Sequence, residues 1–372
     1  MSYFIFIIIR RNIADNLNLY HIRKEIVNYS KLNFFNFQFK EFSFVKDPKI
    51  SLIITLYNQK QYILKIYACI LDQSLEEIEI IFIDDASTDN SFSIIRKLMN
   101  KDKRIIYLKN DKNKGQFFSR NKGIIYSRGD YVLIIDPDDL LLNDILIKSY
   151  KMAKQYLLDI VQFYHLMGNY KNNQLVIINS KSEICFQPET NNIFFDYHTR
   201  YLWDKLIRRK ILIKSIFFMK DSFRKERFII HNDETACFGI FKTAYSYGHL
   251  EEIGYFYNRE PANSTTKKNF LPENINGRFH SLFAIMNYYY EQSEDNFYEK
   301  NKGGYHFFEY RIVRKYEKKI KLLTKGFKYI NFVINKYLDS PFFNSTQKTK
   351  LTEFKNKVNL QKNKSVPFQF GK

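Results

Sequence analysis

A chain of 372 residues, 45% of them hydrophobic, can bury one large core or two ordinary ones, which excludes a collagenous or wholly disordered protein. Its formal charge of +20 would suit nucleic acid, an anionic membrane or a phosphorylated ligand, but the lysines scatter instead of forming a block. Lys, Asn, Ile, Phe and Tyr are over-used together, so compositional bias accounts for the charge and no nucleic-acid partner is expected.

Cys69, Cys185 and Cys237 are odd in number and far apart, with neither a metal-ligand spacing nor a disulfide framework. That fits a reducing compartment. Tyr3–Ile9 is apolar but far shorter than the roughly 20 residues that cross a bilayer. It has no basic stretch before it and no small-residue cleavage site after it. A cytoplasmic location, or peripheral contact with the cytoplasmic face of a membrane, is the expectation.

Residues 1–47 read as an N-terminal extension, with a helical stretch over Asn16–Tyr29 and an aromatic run at Phe34–Phe39. The organised part starts at Pro48. Ile50–Leu56 is a buried strand ending in Tyr57-Asn58, followed by a helix over Gln61–Asp72 with its apolar face at Ile63, Ile66, Ile70 and Leu71. Glu79–Ile83 is a second strand that stops at Asp84-Asp85. Ser87-Thr88-Asp89 offer caps for a helix to Met99. Arg104–Leu108 is a third strand, Asn110–Gly115 a polar loop and Gln116–Ser127 a helix. The fourth strand is Tyr131–Ile135, which runs straight into Asp136-Pro137-Asp138-Asp139.

Strand and helix alternate as in a parallel sheet with right-handed crossovers. Ligands of such sheets lie beyond the carboxyl ends of the strands. Asp84-Asp85 and Asp136, Asp138 and Asp139 then share one rim. Two carboxylates about 4 Å apart repel by roughly 4 kcal/mol at an effective dielectric of about 20. Acids so placed raise one another's pKa or hold a cation, and this pattern suits a hard divalent ion that also grips phosphate oxygens. The plain alternative is a turn with an aspartate capping the next helix.

Beyond Asp144 the pattern predicts a helix, strands at Asp159–Tyr164 and Gln174–Ile178, a basic helix over Trp203–Ser215, a helix opening at His231–Glu234, and a strand at Gly254–Asn258. From Asn274 the chain reads as helices, ending in a polar tail near Gln361–Lys372.

The stretches ISLIITLYNQ, IIFIDDASTDNS, NKGQFFSRNKGI and GDYVLIIDPDDLL occur in the order and spacing of family 2 glycosyltransferases of the GT-A fold, which the chain resembles over about 50–165. A weaker echo runs to about 266 through Trp203-Asp204-Lys205, Asn232-Asp233-Glu234 and Tyr257-Asn258-Arg259. The resemblance implies an α/β, GT-A-like mixed and mostly parallel sheet flanked by helices, with a helical C-terminal extension. The domain would span 48–270, with a nucleotide-binding half at 48–145 and an acceptor half at 146–270, followed by a helical region at 271–372.

It further implies a DXD motif with Mn2+ or Mg2+, a nucleotide-sugar donor (UDP-linked), and a glycan, lipid or protein hydroxyl acceptor attacked with inversion. Asp138 is then the first candidate for the metal ligand, Asp136 reaches the metal or the ribose, and Asp139 supports them. Asp85 and Asp84 meet the nucleobase, and Thr55 and Tyr57 cradle uracil or ribose. Arg120 and Asn121 match the family's Arg-Asn pair, although Arg120 could simply pair with the acids. Asp233 matches the base that inverting members use. Because Asn232 stands where the family carries another acid, Glu234 is the second candidate. Trp203 packs under the acceptor site or simply in the core.

Other readings meet obstacles. A nucleotidyltransferase needs a glycine-rich basic loop after the first strand, and Leu56–Lys60 has no glycine. No Gly-x-Gly-x-x-Gly follows a strand, as a Rossmann oxidoreductase would require. A phosphoacceptor fold leaves Asp136–Asp139 unexplained. A non-catalytic basic protein binding glycan or RNA would place a repelling acidic rim against phosphate.

Overall fold

Ile50–Leu56 is buried at all seven positions, and that burial dictates its place. A strand with no polar face is stable only when covered above, below and on both sides. In the computed structural model it is β1, paired in parallel with β2 (Ile78–Asp84) on one side and β4 (Tyr131–Ile135) on the other. β3 (Ile105–Lys109) extends the parallel run beyond β2. The structure describes residues 41–168, 184–186, 201–218 and 232–259, with a few isolated helical positions past 334. Asn16–Tyr29, Gln174–Ile178, His231 and nearly all of 271–372 lie outside them. The chain divides into two compact units, Met1–Arg227 with Ala236–Ser264, and Phe228–Thr235 with Thr265–Lys372.

The strand order is β3-β2-β1-β4-β8-β6-β9-β5, with β7 (Cys185–Phe186) paired to β9. β8 (Lys205–Arg208) runs antiparallel between β4 and β6 (Ile160–Gly168), and β6 is parallel to β9 (Ser246–Asn258). β5 (Leu140–Leu141) closes on β9. This is the mixed, mostly parallel sheet expected. The helices α1 (Lys60–Leu71), α2 (Ser91–Lys101), α3 (Gln116–Tyr126) and α4 (Ile145–Gln155) agree with the sequence pattern to within a few residues. Ile63, Ile66 and Ile70 of α1 are buried as read, and Leu71 is only half-buried.

One segment needs correction. Trp203–Ser215 reads as a single basic helix, but Lys205–Arg208 is strand β8 and the helix α5 starts only at Arg209 and runs to Phe218. Leu206 and Ile207 are buried and fill the gap between β4 and β6. The two flanking cations disguise the strand. Lys205 is fully buried against Asp204 and also donates to the Tyr201 carbonyl (2.6 Å), while Arg208 donates to Asp159 (2.8 Å). The last strand is longer than Gly254–Asn258, because irregular pairing around Tyr164 lets β9 run back to Ser246 across Glu251-Glu252.

Part of the stretch read as an extension is packed on the domain. Phe42 exchanges backbone bonds with Lys101 and Lys103 (both 2.9 Å), and the Arg104 guanidinium lies 3.3 Å from the centre of its ring. Cys69, Cys185 and Cys237 are buried thiols, none of them in a disulfide. No helix among the described residues is long and apolar enough to cross a membrane.

Two substitutions test this packing. A Cβ on Gly254 would sit 2.2 Å from Ile145 Cγ1 and 2.8 Å from Phe163 Cδ2, so Gly254→Ala should destabilise the fold by about 1–3 kcal/mol in urea denaturation. Asp204→Ala leaves the Lys205 ammonium buried without its carboxylate, and should cost about 3–5 kcal/mol in the same measurement.

Candidate active site

The sheet register brings the acids together. Leu56 of β1 stands opposite Asp84 of β2, and Ile54 opposite Ile135 of β4. The Asp85 N–H donates to the Leu56 carbonyl (2.9 Å), continuing the pairing one residue past β2. Asp84-Asp85 and Asp136–Asp139 therefore leave the same carboxyl rim from two strands separated only by β1, a spacing of about 10 Å.

The 110–116 loop bridges that spacing. Asp85 Oδ1 accepts from Asn110 Nδ2 and the Lys114 N–H (both 2.8 Å), and Oδ2 accepts from the Gly115 N–H (2.7 Å). Gly115 has φ 89°, a left-handed conformation in which glycine carries no steric penalty. The next residue, Gln116, donates through Nε2 to Asp136 Oδ1 (2.9 Å). Consecutive residues of one loop thus hold an acid from each strand.

Asp136 also accepts from Arg120 Nη2 (2.8 Å), a pair in which the guanidinium is 3% exposed and the carboxylate 19%. The Asp139 N–H donates to the Asp136 carbonyl (3.1 Å) and closes the turn. Asp139 is buried, with Oδ1 accepting from the Asn258 N–H (2.8 Å) and Oδ2 from the Tyr255 hydroxyl (2.7 Å). Burial, and then the charges of Asp138 and Asp136, push its carboxyl well above the usual range. Burial, and then the Asp136 charge, push Asp138 up to about 7. Among the described residues, no group of three or more His, Cys, Asp or Glu side chains is placed to hold a metal on its own.

On the β1–β2 side, Asp84 is buried, with Oδ1 accepting from the Ser87 N–H (2.7 Å) and Oδ2 from the Tyr107 hydroxyl (2.6 Å). Thr55 is buried at the end of β1, and its Oγ1 makes no hydrogen bond. Tyr57, two residues on, is 46% exposed. Asn58, which sequence reasoning passed over, adopts φ 54° and binds the two loops together. Its Oδ1 accepts from the Thr88 N–H (2.8 Å), and its own N–H donates to Ser87 Oγ (2.9 Å). Asparagine is the non-glycine residue most at ease in that conformation, so its place directly after a strand end was the available signal. Gln116 and Tyr255 carried no such signal. Each matters only through a contact made across the fold.

Asp233 and Glu234 open α6 (Asn232–Thr243), Asp233 half-buried and Glu234 buried, where the helix N-terminus favours acids. This first turn belongs to the second compact unit, and the acids of β2 and β4 to the first. Trp203 is a core residue, stacked on Tyr201 and Tyr255 at 4.6 and 4.7 Å.

A sequence model of Glycosyl transferase family 2 matches residues 51–216. An uncharacterized glycosyltransferase of Haemophilus influenzae is 34% identical over 139 residues, covering 37% of this chain and 56% of that protein. A cholesterol galactosyltransferase of Borreliella burgdorferi is 34% identical over 180 residues, covering 45% of this chain and 50% of its own length. The chain thus spans about half the length of these relatives. The crystal structure of S. aureus TarS 1–349 in complex with UDP-GlcNAc superposes with a TM-score of 0.67 at 17% identity, over 84% of this chain and 89% of that one. At that identity the likeness concerns the fold. Sequence and sheet topology agree: residues 51–216 match the model of Glycosyl transferase family 2, and the fold is GT-A-like.

Proposed function

We propose that this chain transfers a sugar from a UDP-linked donor to a hydroxyl group of a glycan, lipid or protein acceptor, inverting the anomeric centre and using Mn2+ or Mg2+. The UDP complexes of TarS support the donor class by analogy. The observation that carries the metal reading is geometric: the register sets Asp84-Asp85 and the Asp136–Asp139 turn on one rim, on either side of β1. A carboxyl pushed up to about 7 by burial and by the acid two residues before it is one that a cation would relieve. Two carboxylates suit a small hard ion that prefers oxygen ligands. When bound, the ion would supply Lewis acidity that draws charge from the departing diphosphate.

Each protein group has a role in this scheme. Asp138 and Asp136 would hold the cation, with Arg120 and Gln116 fixing the Asp136 carboxylate. Asp85 has three of its roughly four acceptor sites filled by the 110–115 loop, which leaves one on Oδ2 for a nucleobase N–H. Thr55 Oγ1 offers its unused hydrogen bond to base or ribose, and the exposed Tyr57 ring offers a stacking face. Asp84 acts on the nucleotide through the turn that it holds. Asp233 takes the proton of the acceptor hydroxyl as its oxygen bonds to the anomeric carbon and the bond to the diphosphate breaks. Glu234 is the second candidate for that base.

Asp138→Asn should fold normally, yet lose the Mn2+-dependent thermal stabilisation by UDP and at least about 10²-fold in donor turnover. Unchanged stabilisation by UDP with Mn2+ would remove the metal role. Asp233→Asn should lower kcat by about 10²–10⁴-fold with little change in donor KM. If Glu234→Gln takes that loss instead, the base is Glu234, and full turnover in both variants rejects the pair.

A further inference from the structure

We infer that Tyr255 is a positioning residue for the acid turn, and that its hydroxyl sets the turn's affinity for a divalent cation. The inference rests on the metal-dependent reading above. A phenol has one proton to give and lone pairs to receive. Here the hydroxyl accepts from the Asp136 N–H (3.1 Å), so its proton is available for Asp139 Oδ2 at 2.7 Å. Those two partners flank Asp138. One oxygen atom therefore ties the backbone of the first acid to the side chain of the third and fixes the span that carries the middle one. Asn258, three residues along β9, holds the other oxygen of Asp139.

Tyr255 is itself immobilised. It is fully buried, its ring lies 4.7 Å from Trp203 at an interplanar angle of 15°, and its backbone stands opposite Leu141 of β5. Asp136 and Asp138 stand two residues apart in one turn, and the Tyr255 hydroxyl closes that turn between the Asp136 N–H and Asp139 Oδ2. A pair of ligands held close before the ion arrives binds it more tightly than a pair that must be gathered. Tyr247 provides a matched comparison, since it is equally buried and spends its hydroxyl on Gln162 Oε1 (2.9 Å).

The test is Mn2+ titration calorimetry in the presence of saturating UDP. Tyr255→Phe keeps the ring on Trp203 and should bind Mn2+ about 10–100-fold more weakly than wild type, with donor turnover recovering as Mn2+ is raised. Tyr247→Phe should leave Mn2+ affinity unchanged. A general loss of packing would not give recovery with metal. If Tyr255→Phe binds Mn2+ as wild type does while Asp138→Asn binds none, the positioning role falls and the metal reading stands. If wild type binds no Mn2+ with UDP, both fall. Should Tyr255→Phe fail to fold, Asp139→Asn probes the same contact from the other side, and an unchanged affinity there overturns the inference.

Discussion

The arrangement depends on β1 being paired on both sides. Its seven buried residues demand a central position, and the neighbours it accepts are the two strands that end in acids. A slip of one residue would turn every side chain of β2 or β4 to the opposite face and disperse the carboxylates. The apolar pattern that stabilises the core therefore also aligns the charged rim. Burial does the aligning, and the acids follow from it.

The rim then deals with its own repulsion in two ways. On the β2 side, Asp84 and Asp85 are engaged by backbone N–H groups, a tyrosine hydroxyl and an asparagine amide, so their charge is solvated by the protein itself. On the β4 side, Arg120 offsets Asp136 and two donors hold Asp139, while burial raises Asp138. The two halves of the rim thus differ in chemistry: one is a hydrogen-bonding surface completed by its loop, the other a turn of three acids in which Asp136 is ion-paired and Asp139 is buried on two donors.

Much of this could be read from the chain before any coordinates. The first four strands and the helices between them follow from long apolar runs and clear turn residues, where local pattern and tertiary role agree. The agreement failed where charge and burial conflict. Lys205 and Arg208 look like one face of a basic helix, because nothing nearby in sequence reveals that Asp159 lies against Arg208. The acids themselves were visible, since five of them cluster after two buried strands. What holds them was not. Gln116 is an ordinary first-turn residue, and Tyr255 is one tyrosine among 28.

The 110–116 loop gives the rim a property that neither strand has alone. Gly115 holds Asp85 and its neighbour Gln116 holds Asp136, so the two acids are joined through a single peptide unit. Any coupling that the loop carries between ligands at its two ends is equal in both directions by thermodynamic reciprocity. The loop is a hinge shared by both halves of the rim, so a substitution at Gly115 or Gln116 touches two strand ends at once.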